Sequence, residues 1–155
     1  SALVVPDRDV DCVKCRYIPG TQQLLVTTNQ AVLYAVDPTE AKPLMRFTGF
    51  KNDNLSILDA VATTNGQFIM SGSEDGSIYV WRLDTGELVH VYEECHPGPV
   101  SCLQWNPRYL QFTSACTNLA FWAVNPDASV PPSEPPTVAE VTNGTELTDL
   151  DDLEE

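Results

Sequence analysis

The chain has 155 residues, a formal net charge of −14 and 43% hydrophobic residues, which fits one ordinary globular domain and not a fibrous chain. Nine of its acids lie between Asp127 and Glu155 in a stretch without Lys or Arg, which leaves −5 for residues 1–126 and argues against a protein that grips nucleic acid through phosphates. No apolar run approaches the ~18 residues of a membrane span and no signal peptide opens the chain, so an intracellular, reducing setting is expected, with Ser1 read as the mark of processing or truncation.

In chain order the expected elements are all strands. Residues 10–17 rise, turn at Ile18-Pro19-Gly20, return through 24–28, turn at Asn29-Gln30 and rise again through 31–36. Residues 52–59 are ambiguous and are read as a loop leading into a strand. Residues 57–63, 67–71, 77–82 and 88–92 then form a meander, punctuated by Asn65-Gly66, Asp75-Gly76 and Asp84-Thr85-Gly86. Asp75-Gly76 predicts a tight hairpin with φ > 0 at both positions. Ile78 and Val80 face one way and Tyr79 and Trp81 the other, so this strand expects a cover on both sides. A third set runs through 100–105, turns at Asn106-Pro107-Arg108, returns through 111–115, turns near Thr117-Asn118 and ends with 119–124. Pro126, Pro131, Pro132, Pro135 and Pro136 follow, then acids without a compensating base, so residues from about 127 onward are expected to be disordered or a tethered extension.

Little of the polar chemistry points to catalysis. Cys12 and Cys15 have the spacing of a zinc knuckle or a redox pair, but residues three apart on a regular strand face opposite sides. The cysteines are therefore read as small hydrophobes, with no metal and no cofactor expected. His96 lacks a recognisable nucleophile and orienting acid, and His90, between Val89 and Val91, is expected to face solvent. Asp75 is explained by its turn, and Gly72, Gly76 and Gly86 are too scattered to cradle a phosphate. The sequons at Asn54 and Asn143 are expected to stay unused. No catalytic residue is assigned, and the chain reads as a non-enzyme.

The strand endings Val32-Leu33-Tyr34, Ile78-Tyr79-Val80-Trp81 and Leu119-Ala120-Phe121-Trp122, the Ser73-Glu74-Asp75-Gly76 turn, and the 41-residue step from Trp81 to Trp122 resemble WD40 repeats over residues 10–125. The resemblance implies an all-β fold of about three WD40-type β-propeller blades, a partial propeller. The blades would cover about 10–50, 55–94 and 96–125, within a repeat region 1–125 followed by a Pro-rich acidic tail 126–155. More narrowly, residues 67–76, 98–107 and 112–122 resemble the C-terminal half of the WD-repeat subunits shared by SET-domain histone methyltransferase (COMPASS) complexes and the nuclear protein phosphatase 1/polyadenylation termination machinery. That implies a non-enzymatic nuclear scaffold with protein partners, without direct nucleic-acid or membrane contact; a cytoplasmic location, a WD40 adaptor of an unrelated complex and a propeller-based enzyme are the alternatives. The Pro-rich acidic tail and the absent N-terminal half depart from the family pattern.

The family's buried tetrad of Trp, Ser or Thr, His and Asp maps onto Trp81, Ser71 and Asp75 in the second repeat, without a His. In the third it maps onto Trp122, Ser114 and His96, with Asn118 or Thr117 near the Asp position. Phe50 and Tyr109 are the candidate partner anchors, with packing between blades as their competing role. A three-blade arc is expected to leave two terminal faces bare, lined by Val32, Tyr34, Phe121 and Trp122. They would be completed by a chain carrying the N-terminal blades or by a second copy, with residues 1–5 serving as an outer strand.

Overall fold

Short segments rich in β-branched and aromatic residues, set between turn residues, fold as strands that bury at least one face against a neighbouring sheet in most cases. The computed structural model describes residues 10–54 and 56–123, which form eleven strands in three antiparallel sheets with no helix among the described residues. The first sheet has the order β1 (Cys12–Tyr17), β2 (Leu24–Thr28), β3 (Val32–Asp37), β4 (Lys42–Thr48). The second has β5 (Ala60–Ala62), β6 (Phe68–Gly72), β7 (Ile78–Arg82), β8 (Leu88–Tyr92). The third has three strands among the described residues, β9 (Cys102–Trp105), β10 (Gln111–Ala115) and β11 (Leu119–Ala123). The outer strand β4 was not placed from sequence. It carries Pro43 and a register shift near Val36, and apart from the buried Phe47 it alternates between exposed and half-buried residues, so its strand signal is weak.

The hairpin at Asp75-Gly76 is not the expected two-residue turn. Only Gly76 is left-handed (φ 82°); the one described non-glycine with positive φ nearby is Glu94, not Asp75. The Gly76 N–H donates to the Ser73 carbonyl (3.2 Å) and the Ser73 N–H to the Ser77 carbonyl (2.9 Å). A turn over Glu74-Asp75 is therefore followed by a glycine bulge, the usual form of a slightly longer hairpin loop. Gly76 is also hemmed in sterically: a Cβ there would run into the His96 carbonyl oxygen.

The sheets pack face to face, and β7 shows why. Tyr79 and Trp81 join Leu25, Leu33, Phe47 and Ile69 in the core between the first and second sheets. Ile78 and Val80 join Leu103, Phe112, Ala120 and Trp122 between the second and third. Each fully buried large side chain here contributes roughly 1.5–3 kcal/mol.

The expected bare faces are only partly there. Val32 and Tyr34 are buried in a cluster with Val26 and Val36 on the far side of the first sheet. Trp122 points inward, because the alternation along β11 turns Ala120 and Trp122 toward the second sheet. Phe121 (65% exposed) and Leu119 (47%) are the residues of β11 left open. The expected strand at residues 1–5, the end of the last strand at Val124 and the tail from 126 lie outside the described residues.

Candidate functional site

The inner strands β1, β5 and β9 meet at Asp59, just before β5. Its side chain is 4% exposed and takes charge from two directions: Lys14 Nζ lies 2.8 Å from Oδ1 and Arg16 Nη2 3.2 Å from Oδ2. The backbone N–H of Ala60 donates to Oδ1 (3.0 Å) and that of Leu103 to Oδ2 (3.1 Å). One carboxylate thus ties a strand of each sheet to the others, and its charge is matched by four donors, as burial requires. Sequence reasoning passed over Asp59, because its partners lie 43 to 45 residues away.

Beside this hub runs a groove of about 230 Å³, walled by Arg16, Tyr17 and Pro19 from the first sheet, Val61 and Thr64 from the second, and Trp105 and Pro107 from the third. Arg16 is held by Asp59, and Tyr17 is 71% exposed. Trp105 is locked by stacking on Phe112, with centroids 5.9 Å apart and planes 9° apart. The loop bearing Pro107 is fixed as well: the Asn106 side chain accepts from the Arg108 and Tyr109 N–H groups, and Thr64 Oγ1 donates to the Asn106 carbonyl. Tyr109 (67% exposed) and Leu110 (66%) project from this loop. The groove offers flat aromatic surface, proline edges and one cation in a fixed arrangement, suited to an extended peptide.

Of the two expected anchors, Tyr109 is exposed and Phe50 is not. Phe50 is 5% exposed and packs edge-on against Trp81, with centroids 5.9 Å apart and planes at 72°, so it belongs to the core between the first two sheets. On the opposite end of the sheets, Glu74 organises the 51–56 loop: its carboxylate accepts from the Asp53 and Asn54 N–H groups, Asn54 Nδ2 and Ser56 Oγ. Hydrogen bonding, first of all from the Asn54 side chain, holds its pKa below the usual glutamate value.

Ser114 sits under the third sheet with His96 Nε2 at 2.6 Å and Trp122 Nε1 donating to its hydroxyl at 2.7 Å. Taken alone a Ser–His pair suggests a nucleophile, but Ser114 is 1% exposed and one of its lone pairs is taken by the indole. His96 Nδ1 has no hydrogen-bond partner among the described residues, and burial holds the imidazole pKa below its ordinary value.

The "WD domain, G-beta repeat" family matches residues 41–82, a span running from the end of the first sheet through β7. The three sheets are WD40 blades. Over 116 residues, 75% of this chain, the sequence is 40% identical to "WD repeat-containing protein 82" of Drosophila melanogaster, and it covers 37% of that protein. It is 35% identical over 118 residues to "Protein ANTHESIS POMOTING FACTOR 1" of Arabidopsis thaliana, covering 35% of it, and 32% identical over 79 residues to an Arabidopsis "WD repeat-containing protein 26 homolog", covering 13%. The chain therefore spans little more than a third of the length of the first two relatives.

Against the WD40 tetrad, the third blade assembles Trp122, Ser114 and His96, while Asn118 turns its side-chain oxygen to Cys116 Sγ instead of to His96. The second blade does not assemble its set. Trp81 Nε1 donates to the Thr48 carbonyl (3.2 Å), and the Ser71 hydroxyl donates to the Gly72 carbonyl (2.9 Å). The two blades differ here: the second has no tetrad His, and Tyr79 pairs with Ser71 where the third WD40 blade has Ala120 opposite Ser114, its ring stacked on the Trp81 indole with centroids 5.9 Å apart. Asp75 serves its turn, accepting from the Ser77 N–H (3.0 Å) with Lys51 Nζ 3.4 Å away. His90 is exposed, as expected, and lies edge-on to Tyr92.

The cysteine pair needs a correction. A bulge between Cys12 and Lys14 sets Cys12 opposite Thr28 and Cys15 opposite Val26, two residues apart on β2, so both thiols share one face. Burial, then Asp11 and Cys15, raise the Cys12 pKa, so Cys12 is not an activated thiolate. No group of three or more His, Cys, Asp or Glu suited to a metal ion occurs among the described residues.

Proposed function

We propose that this chain is a non-enzymatic WD40 scaffold that holds partner proteins in a nuclear chromatin or transcription-termination assembly, of the histone methyltransferase or phosphatase-associated kind. The observation that supports it most is the groove at the inner strands, where Arg16, Trp105 and the Pro107 loop are held by hydrogen bonds and ring stacking and Tyr17 stands open at the surface. Such preorganised aromatic and Arg surface is what protein interfaces concentrate at their centres. Two of the three relatives carry WD repeats in their printed names, and the residues that resemble methyltransferase- and phosphatase-associated subunits supply the finer assignment. The remaining blades, on another chain segment or another chain, would meet the open Phe121 face.

The test is capture of purified methyltransferase-complex and phosphatase-complex subunits by the full chain and by its Tyr17→Ala and Tyr109→Ala variants. Loss of about tenfold in affinity is expected from one aromatic anchor, about 1.4 kcal/mol. Capture of neither set, or capture unaltered in both variants while melting temperatures stay unchanged, overturns the assignment.

A further inference from the structure

Grooves lined by aromatic rings and proline edges take extended proline-rich segments, because the polyproline II helix is preformed and needs little ordering. This chain carries such a segment itself. Residues 126–136 hold Pro126, Pro131, Pro132, Pro135 and Pro136, with Glu134 between the two proline pairs, and the acids that follow have no base among them. We propose that residues 126–136 of this chain dock in the groove of Arg16, Tyr17, Trp105 and Pro107, and so compete with partner peptides for it. The competition, though not the docking, rests on reading the groove as the partner site.

Three observations carry the inference. The first is reach. Ala123, the last residue of β11, lines a hollow together with Gln104, Trp105 and Pro107, and those three residues also wall the groove. β11 thus ends one ridge away from the site. Eight residues from Ala123 to Pro131 extend up to about 26 Å, ample for that ridge. The second is fit. Residues 131–136 span roughly 16 Å in polyproline II form, long enough to lie across Tyr17 and Trp105, which belong to the first and third sheets. The third is charge. Lys14 (43% exposed) and Arg16 (32%) bring two cations to Asp59, so their site keeps one net positive charge, opposite in sign to the acidic sequence of residues 126–155. A short tether raises the local concentration of the segment to about the millimolar range, so even a weak intrinsic contact is substantially occupied.

The test follows the three indole N–H signals of the full chain in a nitrogen–proton NMR spectrum. Trp81 and Trp122 are buried, whereas Trp105 is half-buried at the groove. Replacing Pro131, Pro132, Pro135 and Pro136 by Ala in the full chain is expected to move the Trp105 signal and leave the other two in place. A synthetic peptide of residues 126–140, added to that variant, is expected to return the signal toward its original position with a Kd of about 0.1–1 mM, and Tyr17→Ala to abolish the return. The competition is read from partner capture, which is expected to rise several-fold in the proline variant. A Trp105 signal identical in the two chains, or unmoved by millimolar peptide, overturns the docking. A proline-free peptide of equal charge that moves it as far overturns the polyproline recognition. Shifts without any change in partner capture overturn the competition. The scaffold reading is judged separately, by whether Tyr17→Ala and Tyr109→Ala lose partners, whichever way the Trp105 signal falls.

Discussion

Replacing Asp59 by Ala removes the acceptor of four donors from three sheets, and its cost can be worked out group by group. The Ala60 and Leu103 N–H groups lose their side-chain partner in the interior, at about 1–1.5 kcal/mol each. Lys14 and Arg16 are 43% and 32% exposed, so water recovers most of their lost attraction, and they add only about 0.5 kcal/mol together. The sum is about 3 kcal/mol. With a urea m-value of about 2 kcal/mol per M, the unfolding midpoint falls by about 1.5 M, and for a domain of this size the melting temperature falls by about 15 °C. The assay is urea unfolding of the full chain followed by tryptophan fluorescence, with Lys14→Ala/Arg16→Ala measured alongside. Stripped of both cations, the buried carboxylate keeps its two N–H bonds but loses its counter-charge, so the double cation variant should cost about 1–2 kcal/mol, less than Asp59→Ala. A midpoint shift below about 0.5 M for Asp59→Ala, or equal shifts for the two variants, refutes the reasoning.

Ser114→Ala leaves His96 Nε2 and Trp122 Nε1 without their buried partner, and calorimetry should show about 2–3 kcal/mol of lost stability. The pH dependence of stability has a definite sign at His96. Its folded pKa lies below the ordinary 6.5, so the unfolded chain binds the extra proton, and stability present above about pH 6.5 is lost as pH falls toward the folded value, by at most about 1.4 kcal/mol per pH unit. His96→Asn should flatten the melting-temperature profile between about pH 5 and 6.5, where the chain's carboxylates contribute little. Thiol labelling should find Cys95 the slowest cysteine. Burial pushes it up to about 11, and its Sγ donates to the Gly76 carbonyl, whereas at Cys116 hydrogen bonds from Asn118 and Thr117 outweigh burial and lower the pKa. Mass spectrometry after a short iodoacetamide pulse at pH 8 reads the order.

The strands were legible where alternating apolar residues lie between clear turn signals. β7 is the clearest case, with Ile78 and Val80 alternating against Tyr79 and Trp81 between two turn glycines. Strand β4 was missed for the opposite reason: one face is open and Pro43 interrupts the signal. Residue spacing could not anticipate the bulge that brings Cys12 and Cys15 to one face, since a single inserted residue reverses the parity of everything before it. Ser71 was placed with Trp81 by carrying the family tetrad onto a repeat that lacks its His, and there Tyr79 stands opposite Ser71 where the third repeat has Ala120 opposite Ser114. Asp59 and the groove were out of reach altogether, because their members converge from three sheets and no local pattern marks them.

The two-sided apolar strand β7 also fixes an order of events in folding. Each sheet is a chain of local hairpins, cheap in loop entropy, but none can bury its large side chains alone. Among the described residues the second sheet is the one that shares a core with each of the other two, so a transition state that has gained packing energy between sheets contains it together with one neighbour. Trimming Ile69 or Trp81 should then slow folding, whereas trimming Ala120 or Phe112, on a sheet free to dock last, should mainly speed unfolding. The middle of this chain acts as the template on which both ends are set.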